Sequence, residues 1–181
     1  MIYRVLSGDD FAESELVEVF NRLSGAQKNY IKRKNEKSAK QSLAARALLC
    51  RLLTEYCPED LARDISSDQK GRLYVDGRPD IFVSISHSRD MVAAAVSDKP
   101  VGIDVEYIRT VSEKLKKRVC REMPETQDDF FKVWTLKEAY LKASGIPFSK
   151  MLSLSVKCIN ESVQVFTQEK HGYYITIVEM E

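Results

Sequence analysis

The segment VGIDVE, residues 101–106, sets Asp104 and Glu106 two positions apart within a run of strand-forming residues. In a strand the side chains at i and i+2 leave the same side of the sheet, roughly 7 Å apart. Two like charges so placed repel, so unless both face water, one carboxyl takes up a proton or a cation sits between them. Taken alone, the pair also suits the solvated face of an edge strand. A second set lies in FFKVWTLKEAYLKASG, residues 130–145. Read as a helix, Trp134, Glu138 and Lys142 follow at i, i+4 and i+8, one row of aromatic, acid and base. A core tryptophan beside a surface Glu–Lys pair would use the same letters. Phe130, Phe131, Val133, Trp134, Leu136, Ala139, Tyr140 and Leu141 encircle much of that helix, however, so Glu138 is expected to be partly buried and to need a partner.

If this helix packs on the 101–107 strand, Glu138 joins Asp104 and Glu106. Three carboxylates with a lysine nearby suit a magnesium ion that also binds phosphate oxygens, because magnesium keeps octahedral oxygen geometry and takes few protein ligands. Phosphoryl-type chemistry is the use of such a site. Two further features bear on phosphate. In SISHS, residues 84–88, His87 sits at a strand end between hydroxyls, either donating to a phosphate or serving as a capped turn residue. In residues 28–40, Lys28, Lys32, Arg33, Lys34, Lys37 and Lys40 stand against Glu36 alone, either a solvated basic stretch or the seat of an anion. Nucleic acid is the weaker partner for that run, since only Tyr30 offers a stacking surface.

The elements that must position these residues can be read in outline. Met1 to Leu6 reads as a strand, and capped helical periodicity follows within residues 7–23. A longer helix spans Ser38 to Tyr56 with Leu43, Ala47, Leu48, Leu52 and Leu53 on one stripe, ended by Pro58. Asp76-Gly77 punctuates two β-rich runs, and Met91–Val96 with Val101–Tyr107 flank SDKP as an expected antiparallel pair. A basic helix from Val111 to Arg121 and a helix from Gln127 to Ser144, closed by Gly145, come next. From Leu152 to Met180 strand-like runs alternate with turns. Strands in both halves and no Pro/Gly/Ser-rich linker give a compact α+β unit.

Bulk properties narrow the function. The 181 residues, 44% of them hydrophobic, supply a substantial core, which makes disorder a poor reading. A formal net charge of +1 commits the chain to neither nucleic acid nor membrane. The opening MIYRVLSGDD turns polar too early for a signal-peptide core and no apolar run is long enough to span a bilayer, so a cytoplasmic protein is expected. Cys50, Cys57, Cys120 and Cys158 form no C-x-x-C pair, and with only two histidines a transition-metal site is disfavoured.

VGIDVE, followed about thirty residues later by WTLKEAYLK and preceded by SISHS, resembles the signature of the 4′-phosphopantetheinyl transferases of the surfactin-synthetase-activating type. The resemblance covers residues 71–145 well and the remainder by layout. It implies an enzyme that moves the phosphopantetheine arm of coenzyme A onto a serine of an acyl or peptidyl carrier protein, with release of 3′,5′-ADP. It further implies Asp104, Glu106 and Glu138 as ligands of Mg2+, with Mn2+ as a substitute, Glu138 also as general base, and Lys142 on the pyrophosphate. His87, with Ser86 or Ser88 near it, resembles the group at the 3′-phosphate end of coenzyme A. Lys137 and Trp134 belong to the signature, and Lys28, Lys32, Arg46 and Arg72 are the candidates for other coenzyme A phosphates. The implied fold is two similar α+β halves related by a pseudo-twofold, each a small, mostly antiparallel sheet with packed helices. The halves would be residues 1–97 and 98–181, the active site between them, and a monomer would suffice.

Two features depart from or add to that pattern. IPFSK follows Gly145 where relatives often have another glycine. Lys114, Lys116, Lys117, Arg118 and Arg121 follow the acidic strand and form either a docking face for an acidic carrier or a soluble helix face. Two other functions stay open: a non-catalytic relative that binds carrier or coenzyme A, and a phosphate-binding nucleic-acid module resting on residues 28–40.

Overall fold

In the computed structural model, residues 1–57, 65–68, 71–120 and 127–181 are described, the last stretch with side chains from Asp129 onward. They fall into two compact units, Met1–Asp98 and Lys99–Glu181.

The first unit contains β1 (Ile2–Ser7), α1 (Glu13–Arg22), α2 (Gly25–Lys32), α3 (Glu36–Tyr56), β2 (Ile65–Ser67), β3 (Leu73–Val75), β4 (Phe82–Ser88) and β5 (Met91–Ser97). Strands β1, β5 and β4 form an antiparallel sheet in that order, and β2 pairs with β3 separately. The Asp76–Gly77 connection therefore links strands of different sheets. The long helix α3 lies on the three-stranded sheet, its Leu48, Leu49, Leu52 and Leu53 packed with Val83, Val92, Ala94 and Val96. Asn35 starts α3 by accepting the Ser38 N–H at 2.9 Å, and Cys57 closes it. Helix α2 interrupts what the sequence presents only as a basic stretch. Its signal is local: Ser24 and Gln27 form a reciprocal capping box. Pro58, the expected stop of α3, lies outside the described residues.

The second unit contains β6 (Val101–Tyr107), α4 (Glu113–Val119), α5 (Gln127–Ser144), α6 (Val156–Asn160), β7 (Val163–Lys170) and β8 (Tyr173–Met180). Its sheet is antiparallel in the order β6-β8-β7. At the β7–β8 turn His171 and Gly172 take φ of 52° and 77°, the left-handed pair that matches strand twist in a two-residue hairpin. Helix α5 covers the sheet and ends where Gly145, at φ 69°, reverses the chain.

Three expectations are corrected. Met91–Ser97 and Val101–Tyr107 do not pair, because β5 has both edges occupied by β1 and β4 while β6 pairs with β8. SDKP is thus the passage from one unit to the next rather than a hairpin loop. Only the first part of the run after Leu152 departs from strand: a 3-10 turn at Phe148–Ser153 and α6 precede β7, with Met151 and Ile159 as buried anchors, and β7 and β8 are the strands expected beyond them. The basic helix is shorter than its charge run, starting at the Ser112 N-cap and ending at Val119. Arg121 lies outside the described residues.

Candidate functional site

Strand β6 alternates. Gly102, Asp104 and Glu106 share the face turned to α5, in register with Val178, Thr176 and Tyr174 of β8. The helix comes unusually close there: a β-carbon at position 102 would fall 1.9 Å from the Ala139 carbonyl oxygen and 2.8 Å from the Ala143 nitrogen. Only a residue without a side chain permits that approach. Ala139 and Ala143 supply the other half of the fit, both buried and small.

Helix and strand at that separation bring three acids together. Asp104, Glu106 and Glu138 offer carboxylate oxygens that all lie within 4.8 Å of one another. Asp104 is 2% exposed, the other two half-buried. Lys142 joins from the next turn of α5, its Nζ donating to Asp104 Oδ1 at 2.8 Å and to the Ile103 carbonyl at 2.9 Å. Burial pushes the Glu138 carboxyl up to about 8, with the Asp104 charge next in weight and Glu106 adding to it, while the Lys142 ammonium opposes the rise. Three carboxyl side chains beside one ammonium, with hard oxygen donors only, fit a small divalent cation of the magnesium or manganese kind.

A second polar group lies in the first unit. His87 Nε2 stands 3.2 Å from Ser42 Oγ of α3, and Arg46, one turn on, donates from NH1 to the Ser42 carbonyl at 3.0 Å. Arg46 Nε and Gln41 Nε2 are buried with no hydrogen-bond partner, and among the described residues no carboxylate pairs with Arg46. Burial pulls the Arg46 guanidinium below its ordinary value. A buried guanidinium without a counter-charge is costly unless an anion meets it. Ser86 is adjacent in β4, so its side chain leaves the opposite face from His87. A hydroxyl beside the imidazole is that of Ser42, which sequence reading did not single out. A small polar residue on the core side of an otherwise Ala/Leu helix was the available signal.

The remaining candidates are dispersed. Lys28 donates to the Asn21 carbonyl at 2.8 Å and lies over the Phe20 ring. Arg72 is exposed, its backbone N–H held by Asp68 Oδ1 at 2.9 Å. Lys137 is 3% exposed and its Nζ donates to the Val119 carbonyl at 3.0 Å, tying α5 to the end of α4. Lys32 is exposed on α2. On α4, Lys116 is bonded to Glu113 at 2.8 Å, and Lys114, Lys117 and Arg118 are exposed. No described helix is long and apolar enough to cross a membrane.

Strand and covering helix thus bring three carboxylates and a lysine together on one patch of the second unit, a donor set able to hold a divalent cation. Residues 100–179, which hold all four, match the family model described as the 4′-phosphopantetheinyl transferase superfamily. Similar curated proteins carry the same description. The 4′-phosphopantetheinyl transferase gsp of Aneurinibacillus migulanus is 32% identical over 144 residues, 70% of this chain and 60% of that one. Sfp of Bacillus subtilis strain 168 is 30% identical over 103 residues, 51% of this chain and 46% of Sfp. HetI of Nostoc sp. PCC 7120 is 36% identical over 89 residues, 42% of this chain and 38% of HetI. The chain thus spans less than two thirds of the length of these relatives.

Proposed function

We propose that this protein transfers the 4′-phosphopantetheine arm of coenzyme A to a serine of an acyl or peptidyl carrier protein, releasing 3′,5′-ADP. The observation that carries the reading is the convergence of Asp104, Glu106, Glu138 and Lys142 on one patch of the second unit. The attacking hydroxyl belongs to the carrier, so the chain needs no nucleophile of its own. Its contribution is alignment and charge.

Asp104, Glu106 and Glu138 would hold Mg2+, with Mn2+ as a substitute. Bound there, the ion supplies Lewis-acid polarisation of a diphosphate. Burial raises the Glu138 carboxyl to about 8, and a divalent cation held by the cluster would favour its carboxylate form. In that form it accepts the serine proton as the serine oxygen bonds to phosphorus and the bond to the departing nucleotide phosphate breaks. Lys142, already at the edge of the cluster, offsets charge on the diphosphate. In the first unit His87, Ser42 and Arg46 offer donors for a phosphomonoester such as the one on coenzyme A, with Gln41 beside them. Ser86, Lys28 and Arg72 are weaker candidates for that role, and Lys137 acts as a tether for α5.

Two finer points belong to the same proposal. The exposed cations of α4 draw an acidic carrier, so apparent carrier affinity weakens with salt and with Lys116→Glu plus Lys117→Glu. The location is cytoplasmic, which four free cysteines support. One incubation tests the core reading: carrier, coenzyme A and Mg2+, followed by intact mass. Gain of the arm on the carrier serine supports transfer. No gain with coenzyme A or carrier still bound points to a non-catalytic binding relative.

A further inference from the structure

On the helix face of the second sheet, one cross-strand row carries hydroxyls. Asp104 of β6 pairs with Thr176 of β8, which pairs with Thr167 of β7. Above that row, Thr135 of α5 places Oγ1 2.7 Å from Thr176 Oγ1, and both threonines are completely buried. The direction of the bond can be assigned. Thr135 has one hydroxyl proton and its Oγ1 lies 2.9 Å from the Phe131 carbonyl, which can only accept. Thr135 therefore donates to Phe131 and accepts from Thr176. Thr176 in turn has a lone pair toward Thr167 Oγ1 at 3.4 Å.

This directed bond joins the two parts that carry the acids. Thr135 stands one turn before Glu138 on α5, and Thr176 is the residue paired with Asp104. Apart from the flexible Lys142, which bonds Asp104 and the Ile103 carbonyl, the rest of the interface is mostly apolar and tolerates sliding or rotation by a fraction of a residue, because dispersion has little directionality. A short hydroxyl–hydroxyl bond does not. We infer that Thr135 and Thr176 are positioning residues, fixing the rotation of α5 on the sheet so that the Glu138 carboxylate meets those of Asp104 and Glu106. The inference rests on the metal reading of that cluster.

Mn2+ binding by the intact chain, followed by electron paramagnetic resonance, tests it without requiring turnover. The Thr135→Val/Thr176→Val double variant removes both partners at nearly constant shape and is expected to keep the folded state. Its Mn2+ affinity is expected to fall about tenfold or more, as for other groups that orient metal ligands. Thr135→Ser, which keeps the hydroxyl, is expected to bind Mn2+ as the parent does. In transfer assays the double variant should lose kcat with little change in KM for carrier. A folded double variant whose Mn2+ affinity stays within twofold of the parent overturns the positioning role while leaving the metal reading intact. A parent chain that binds no Mn2+ overturns the metal reading itself.

Discussion

Gly102 and Ala139 touch backbone to backbone: the space a side chain would fill at position 102 is taken by the Ala139 carbonyl. The closeness of α5 to β6, and with it the meeting of Glu138 with Asp104, depends on that missing side chain. Gly102→Ala is expected to push the helix off the strand, at a cost of about 1–3 kcal/mol for overpacking, and to weaken Mn2+ binding at the same time. Chemical denaturation and Mn2+ titration of the variant check both. Unchanged metal affinity would show that the contact does not set the cluster.

Lys142 holds Asp104 through Oδ1, so ammonium and divalent ion draw on the same carboxylate. Lys142→Met should bind Mn2+ at least as tightly as the parent, since a competing positive charge is gone. Transfer should nevertheless fall about 100-fold or more if Lys142 steadies charge on the diphosphate. Calorimetric metal titration beside a turnover assay separates the two effects; a loss of metal affinity that accounts for the whole loss of rate would assign Lys142 to holding Asp104 alone.

Glu138 sets a pH dependence of known sign. Its carboxyl titrates near 8 in the folded chain against an ordinary value of 4.5, so between those limits the folded chain holds a proton that the unfolded chain has released. Without divalent ions, this contribution to stability is full below about 4.5 and is lost as pH rises through about 8. A cation expels the proton, so metal affinity should climb with pH across the same window and level off above it. Glu138→Gln should flatten both curves. Melting temperature against pH in chelator, and Mn2+ affinity against pH, are the measurements.

Arg46 gives a contrast between stability and binding. As a largely buried guanidinium with no carboxylate among the described residues, it is expected to cost the free protein stability, so Arg46→Met should melt no lower than the parent. Coenzyme A affinity should drop, and 3′-dephospho-coenzyme A affinity should drop less. A variant that melts lower with coenzyme A binding unchanged would make Arg46 a structural residue.

What the letters conveyed depended on range. The Gln127–Ser144 helix and the Val101–Tyr107 strand were legible because periodicity and the closing Gly145 are local signals. The i, i+2 and i, i+4 rows likewise put Asp104 with Glu106, and Glu138 with Lys142, on common faces. Their meeting rests on Gly102 against Ala139, a contact between residues far apart in sequence, which spacing does not reveal. Strand pairing failed for the same reason: Met91–Ser97 and Val101–Tyr107 are neighbours in the chain, yet β1, β4 and β8 are the partners that bury them. Ser42 escaped notice because nothing local marks a helical serine as the neighbour of a histidine 45 residues away. Helix α2 was hidden by its charge, although its Ser24–Gln27 capping box stood in the sequence.

The most direct measurement is anomalous diffraction at the manganese edge from crystals grown with Mn2+. One ion bonded by carboxylate oxygens of Asp104, Glu106 and Glu138 is the expected result. An ion bound elsewhere, or no ion at the cluster in crystals of a preparation that transfers the arm, would contradict it.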